Sequence, residues 1–186
     1  MLSRLSTRDV TLVALFAALT AAGALVAIPV VGPVPFTLQV LFVLLAGLVL
    51  GPRLGPLSMV VYLLVGLVAP VYAGGTSGLG ALFGPTGGYL WGFVASALLV
   101  GLVSRRLTTR RAPALFATAL LGLLPIYGLG AAWLSVNLHT TDFAVIVVGG
   151  VLQFLPLDIV KAVLAGLAAR AAFSLPLDLA APSKSR

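Results

Sequence analysis

The chain lacks the side chains from which proteins most often build redox and metal centres. Cysteine and glutamate are absent, and His139 is the single histidine among 186 residues. Without cysteine, neither a disulfide framework nor a thiolate metal site can form. One histidine leaves too few ligands for a catalytic zinc ion. The composition therefore excludes hydrolytic metal chemistry.

Charge of either sign is also scarce. Only 8% of the residues are charged, whereas 61% are hydrophobic and the mean hydropathy is +1.20. A soluble domain has roughly 25% charged residues, so this chain is predicted to be an integral membrane protein. The net charge of +7 is typical of the cytoplasmic loops of a small membrane protein and requires no nucleic-acid partner.

The apolar runs predict an all-α fold with six transmembrane helices, since each span needs about 20 predominantly apolar residues. The second and third runs are short and must lie close to the bilayer normal or extend into their loops. The sixth is long, which indicates tilt or a kink near Pro156. The predicted spans are Asp9 to Val31, Phe36 to Leu50, Gly55 to Val71, Gly88 to Val103, Pro113 to Val136 and Phe143 to Phe173.

The positions of the basic residues test this count, because positively charged loop residues remain in the cytoplasm. The loops after spans one, three and five contain no lysine or arginine. Both termini are therefore predicted to be cytoplasmic, with one six-helix domain over residues 1–173 and a short cytoplasmic tail, 174–186. Lys161 is the one exception to the pattern. The basic residues that fit it are Arg4, Arg8, Arg53, Arg105, Arg106, Arg110, Arg111, Arg170, Lys184 and Arg186.

Asp158 and Lys161 lie in the middle of the sixth span. Each ionisable side chain at the bilayer centre costs at least about 2.5–3.5 kcal/mol, so such residues persist where they pair, line a cavity or function. A spacing of three puts both on one helix face. One interpretation is an ion pair that fixes helix packing. The other is a site for a mostly apolar ligand with a polar or anionic end, which Gln153 on the same helix would extend.

A glycine-rich segment, Tyr72 to Gly87, is the predicted outer loop between helices 3 and 4. Glycines allow tight turns and close approach of the backbone to a ligand, and a loop of this length is more often functional than idle. A flexible connector is the alternative. Candidate ligand contacts here are Gly75, Phe83, Thr86 and the following Tyr89, for which an interfacial aromatic belt is a second explanation.

Two further polar candidates, Thr37 and Gln39, lie in the outer turn that opens the second span. Thr37 could bond back to its own helix. Gln39 needs a partner for its amide in an apolar helix, and bundle packing or a ligand would serve equally.

The first span carries alanines at four-residue spacing, Ala14, Ala18 and Ala22. Small residues at this spacing let another helix approach closely. That helix could belong to the same bundle or to a separate membrane protein. The phosphate-binding pattern Gly-x-x-x-x-Gly-Lys-Ser/Thr is absent, so uphill transport would draw on a partner or an ion gradient, which favours docking.

Three motifs follow one another along the chain: Val34 to Gln39, Gly84 to Leu90, and Leu155 to Ala162. Together they resemble the BioY family, the biotin-binding S components of energy-coupling factor (ECF) transporters. The six-span pattern extends this resemblance over roughly residues 7–173.

The resemblance implies a plasma-membrane protein that captures biotin from outside and works with a transmembrane coupling protein and two cytoplasmic ATPases. Tyr89, Asp158 and Lys161 match positions that contact biotin in the family. The cation of Lys161 favours the carboxylate as its partner, and the ureido end of biotin is the alternative. Ala14 and Ala18 match the family's docking face, and Ala22 extends it. Where some members carry a basic residue shortly after Gly-Gly-Tyr, this chain has the apolar stretch Leu90 to Phe93.

Three other functions compete with this one. An S component for another small vitamin would share the architecture and differ in its pocket. A solitary proton-driven carrier would use Asp158 as its relay. An intramembrane enzyme would use Asp158 as base or Lys161 as nucleophile, but no second catalytic group lies at matching depth.

Overall fold

A computed structural model of the chain describes residues 5–30, 32 and 34–174, which are mostly helical. Five helical segments within these residues are long and apolar enough to cross a membrane, which confirms the prediction of a multi-pass membrane protein. Of the predicted tail, 174–186, all but Ser174 lies outside the described residues. The five segments are Thr7–Leu25, Gln39–Gly66, Gly87–Arg106, Ala112–Leu138 and Ala144–Ser174.

Helix α1 (Thr7–Leu25) begins with a capping box. The Ser6 hydroxyl accepts from the Asp9 amide at 3.2 Å, and the Asp9 carboxylate accepts from the Ser6 amide at 2.9 Å, so two otherwise unpaired N–H groups are satisfied.

The end of α1 differs from the prediction, because the helix stops at Leu25 and not at Val31, which lies outside the described residues. Proline disfavours helical geometry in the residue before it, and Pro29 follows closely. Strand β1 (Ala27–Ile28) instead pairs antiparallel with strand β2 (Phe36–Thr37). This two-stranded ribbon is an exception to the all-α prediction.

Helix α2 (Gln39–Gly66) contains the second and third predicted spans and reverses direction inside its bounds. Gly51 has φ 74° and ψ −170°, a backbone conformation that glycine adopts without steric cost. Gln39 Nε2 lies only 2.6 Å from Tyr62 Oη, whereas a straight helix would separate these residues by about 35 Å. The two halves of α2 therefore form a helical hairpin, and the five-segment count includes that hairpin as one helix.

The glycine-rich segment between the third and fourth predicted spans is partly helical. It contains a 3₁₀ turn (Ala73–Gly75) and the short helix α3 (Gly78–Phe83). Helix α4 (Gly87–Arg106) follows and packs centrally against α2. The segment is thus partly folded and not only a flexible connector.

The last two predicted spans are each interrupted. The fifth consists of α5 (Ala112–Leu121) and α6 (Leu123–Leu138), which meet at Gly122. The sixth begins with a π-helical segment (Ala144–Leu152) and continues as α7 (Leu155–Ser174). This second interruption lies beside Pro156, where the sequence predicts a kink. π-Helical geometry is rare in proteins, and where it occurs it is often at a functional site.

Within the part of the chain that the structure describes, the arginines gather at one end of the bundle, which we call the arginine end. Arg110 Nη1 lies 2.9 Å from Ser104 Oγ, and its guanidinium carbon lies 4.5 Å from the centre of the Phe173 ring. Ser104 Oγ donates to the Leu48 carbonyl at 3.0 Å. The ends of α4 and α7 therefore meet α2 just before its turn. The opposite end contains residues 23–30, 34–38, 66–87 and 138–154, and we call it the cavity end.

Candidate functional site

A cavity lies at the cavity end of the bundle, between α2, α4, α6, α7 and the segment before α2. It contains about 620 Å³ of empty space, counting its open mouth. Its apolar walls include Val34, Val40, Leu90, Phe93, Ile126 and Phe154. Its polar lining comprises Thr37, Gln39, Tyr72, Thr76, Thr86, Tyr89, Tyr127, Asp158 and Lys161.

Asp158 and Lys161 form a buried ion pair that faces this cavity. Lys161 Nζ lies 2.5 Å from Asp158 Oδ1, and the two side chains are 5% and 4% exposed. The ammonium also donates to the Thr37 carbonyl oxygen at 2.5 Å. It lies 3.8 Å from the centre of the Phe36 ring, a distance that gives a favourable cation–π contact. The pair is therefore neither lipid-facing nor sealed off from empty space.

Tyr127 binds the other oxygen of the carboxylate. Its hydroxyl donates to Asp158 Oδ2 at 2.6 Å, a length typical of a bond to a charged acceptor. Each oxygen of Asp158 thus accepts from one side chain of the protein. The bond joins α6 to α7 across the wall of the cavity.

A chain of hydrogen bonds runs from Thr37 to Val71, the residue before the glycine-rich segment. Thr37 Oγ1 donates to Gln39 Oε1 at 2.9 Å, and Gln39 Nε2 donates to the Tyr62 hydroxyl at 2.6 Å. Tyr62 in turn donates to the Val71 carbonyl at 3.1 Å. Thr37 and Gln39, two predicted site residues, are therefore satisfied partly by each other while they line the cavity.

Tyr72 and Tyr89 close the cavity from two other sides. Tyr72 donates to the Leu63 carbonyl at 2.6 Å, and burial raises the pKa of its phenol, which keeps this donor protonated. Tyr89 donates to the Gly150 carbonyl at 2.8 Å. The ring of Tyr89 packs so closely on Gly130 that a methyl group there would overlap it. Glycine at position 130 therefore lets Tyr89 lie between α4 and α6.

Six of the nine predicted ligand contacts line the cavity together, and three lie elsewhere. Gly75 is exposed in its 3₁₀ turn. Phe83 is 52% exposed and contacts the rings of Trp91 and Trp133. Gln153 donates to the Gly149 carbonyl of its own helical segment. Those that line the cavity are Thr37, Gln39, Thr86, Tyr89, Asp158 and Lys161.

Sequence reasoning did not identify Tyr127 or Tyr72 as parts of the site. A signal for Tyr127 was present, since a tyrosine hydroxyl in an apolar span needs a partner. Its partner was not evident, because the register between α6 and α7 depends on tertiary packing.

The three alanines at four-residue spacing on α1 face outward. Ala14, Ala18 and Ala22 are all exposed, whereas Phe16, Ala17 and other residues of the opposite face are buried. The strip therefore takes no part in packing the described bundle.

Comparison with known proteins agrees with this architecture. The model of the BioY family matches residues 1–176. A probable biotin transporter BioY of Pyrococcus horikoshii is 45% identical over 156 residues, which cover 83% of this chain and 90% of that protein. The biotin transporter BioY of Thermotoga maritima is 41% identical over 157 residues, or 83% of this chain and 89% of the other.

A solved structure is also similar. The crystal structure of the S-component for biotin from an ECF-type ABC transporter aligns with a TM-score of 0.84 and 27% identity, covering 92% of this chain and 96% of that one. With the family match over nearly its whole length, the chain belongs to the BioY family.

Proposed function

We propose that this protein is the biotin-binding S component of an ECF transporter and mediates biotin uptake. The observation that carries the proposal is a largely apolar cavity with a buried lysine–aspartate pair on its wall. Biotin combines an apolar ring system and valeryl chain with two polar ends, a ureido group and a carboxylate. The relatives named as biotin transporters support the same ligand.

The residues that line the cavity divide the recognition of biotin between them. Lys161 and Asp158 take one polar end, and Thr37, Gln39, Thr86 and Tyr89 supply further hydrogen bonds. The apolar walls hold the ring and chain. Gly75 and Phe83 contribute as parts of the glycine-rich segment, and Gln153 contributes as part of the segment that leads into α7.

The test is whether the purified protein carries biotin. We expect biotin to be released on denaturation, and a calorimetric titration of the emptied protein to show saturable binding. Labelled biotin should resist competition by other vitamins. Absence of binding, or equal competition by a different vitamin, would contradict the proposal and favour an S component of another specificity.

The proposal includes six spans with both termini in the cytoplasm of a plasma-membrane protein. The hairpin at Gly51 supports a count of six spans, because each half of α2 runs from one end of the bundle to the other. The chain has no cysteine, so single cysteines report sidedness without background. Ser77→Cys should react with an impermeant thiol reagent in intact cells, and Thr108→Cys should react only after permeabilisation.

The partners in the proposal are a transmembrane coupling protein and two cytoplasmic ATPases. The outward-facing strip of Ala14, Ala18 and Ala22 supports α1 as the docking face, because small residues permit close helix contact. Ala18→Trp should abolish co-purification with the coupling protein and leave biotin binding intact. Ala168→Trp, at an exposed alanine of α7, is the matched control and should preserve the complex.

Energy supply separates this transporter from a solitary proton-driven carrier. Uptake should require the coupling ATPases. Uptake in cells that lack them, abolished by a protonophore, would favour the carrier.

A further inference from the structure

Tyr127 differs from the other three tyrosines in what its hydroxyl binds. Tyr62, Tyr72 and Tyr89 each donate to a backbone carbonyl, of Val71, Leu63 and Gly150 respectively. Tyr127 donates instead to the Asp158 carboxylate at 2.6 Å. The acceptor of Tyr127 is therefore a side chain of the candidate site, whereas the acceptors of the other three tyrosines belong to the backbone.

The geometry around Asp158 makes this bond an orienting one. A carboxylate with a donor on a single oxygen can rotate about its terminal torsion, which is broad and roughly two-fold. Here Lys161 binds Oδ1 and Tyr127 binds Oδ2, so the plane of the group is set from both sides. Lys161 Nζ is then placed by two acceptors, Asp158 Oδ1 and the Thr37 carbonyl.

We propose that Tyr127 is a positioning residue for ligand specificity: it holds Asp158 so that Lys161 meets a hydrogen-bond acceptor of the ligand. The inference rests on the proposed function and deepens it. Without the phenol hydroxyl, Asp158 Oδ2 would lack its donor in a buried site, and a donor on the ligand would take its place. Discrimination between acceptor and donor groups at that end of the ligand would then fall.

Biotin and two analogues provide the test. Biotin amide replaces the carboxylate by an uncharged group with N–H donors, and 2-iminobiotin replaces the ureido oxygen by a nitrogen that carries hydrogen. The dissociation constants of all three are measured for the wild type and for Tyr127→Phe. We expect the preference of the variant for biotin over one analogue to fall about tenfold, the size of a charge-assisted hydrogen bond. The analogue that responds identifies the end that meets Lys161.

A merely structural role gives a different result. It would weaken all three ligands in parallel and leave both preferences unchanged, and this outcome overturns the inference. The matched control is Thr118→Val, which removes a buried hydroxyl bound to the Ala114 carbonyl at 2.8 Å, away from the cavity. Thr118→Val should lower the midpoint of thermal unfolding and keep both preferences.

A double variant separates this inference from the proposed function. If Tyr127 acts through Asp158, adding Tyr127→Phe to Asp158→Asn should change neither preference further, and an additive change overturns the inference. A wild type that binds no biotin would remove the proposed function itself. Wild-type binding with unchanged preferences in Tyr127→Phe removes only the role of Tyr127.

Discussion

The two ends of the bundle bury polar groups in different ways. At the arginine end, Ser58 and Ser104 donate to the backbone carbonyls of Gly55 and Leu48. At the cavity end, three tyrosines also donate to backbone carbonyls, but Gln39, Tyr127 and Lys161 bind other side chains. A bond to a helix carbonyl persists as long as the helix does. A bond between side chains can be exchanged for one to a ligand, so a ligand can compete for the polar side chains of the cavity end.

At the arginine end, the backbones of α2 and α4 approach each other closely. A methyl group at Gly101 would lie 2.5 Å from the backbone of Gly51 and Pro52, and one at Gly47 would lie 2.7 Å from Val100 Cβ. Contacts this close leave no room for side chains at the crossing of α2 and α4. A larger side chain at either glycine would therefore push α2 and α4 apart.

The largest expected effect comes from breaking the ion pair at the cavity end. Lys161→Met leaves the Asp158 carboxylate buried without its cation, which costs about 3–5 kcal/mol. We expect loss of biotin binding and a lower midpoint of thermal unfolding. Isothermal titration and a thermal scan in detergent measure the two effects.

A second substitution serves as the control for that variant. Lys161→Met with Asp158→Leu removes both charges, and such replacements are often neutral or stabilising. The double variant should regain stability without regaining biotin binding. Recovery of binding would show that the pair serves packing alone.

The next effect is expected at the arginine end. Gly101→Leu forces a side chain against the turn of α2, and overpacking of this kind costs about 1–3 kcal/mol or more. Thermal stability should fall, while the folded fraction should bind biotin with unchanged affinity. Gly128→Leu is the control, because its added side chain meets open space. A loss of affinity in folded Gly101→Leu would contradict the separation of the two ends.

The smallest effect is expected from Gly130→Ala, which pushes on the ring of Tyr89. The added methyl group should displace this ring from its bond to Gly150, at a cost of about 1 kcal/mol in binding. Affinity should therefore fall more than stability. Gly128→Ala, two residues away on the exposed side of α6, should leave affinity unchanged. Equal losses of affinity in both variants would argue against a role for the packing of Tyr89 on Gly130.

The sequence predicts much of this arrangement, for identifiable reasons. Hydropathy locates the spans, and Lys161 stands out because it is the one cation that topology does not explain. Gly51 and Pro52 between two short runs predict the reversal in α2. The end of α1 and the short α3 are missed, because β pairing at residues 27–37 and the folding of the glycine-rich segment depend on neighbours distant in sequence.

The candidate site is predicted only in part, again because tertiary packing decides where some of its residues lie. Polar residues in apolar spans, such as Gln39 and Asp158, are visible as exceptions to a simple pattern. The placement of Phe83 and Gln153 away from the cavity depends on helix rotation and on the π-helical segment. One-residue changes in helical register rotate a side chain by about 100°, which hydropathy does not resolve.

The hydrogen bond from Lys161 Nζ to the Thr37 carbonyl has a consequence for ligand binding. The backbone oxygen gives the ammonium a second buried acceptor besides Asp158 Oδ1. Capture of a ligand acceptor by Lys161 is then an exchange with an oxygen of the protein's own backbone, which lies next to strand pairing at residues 27–37.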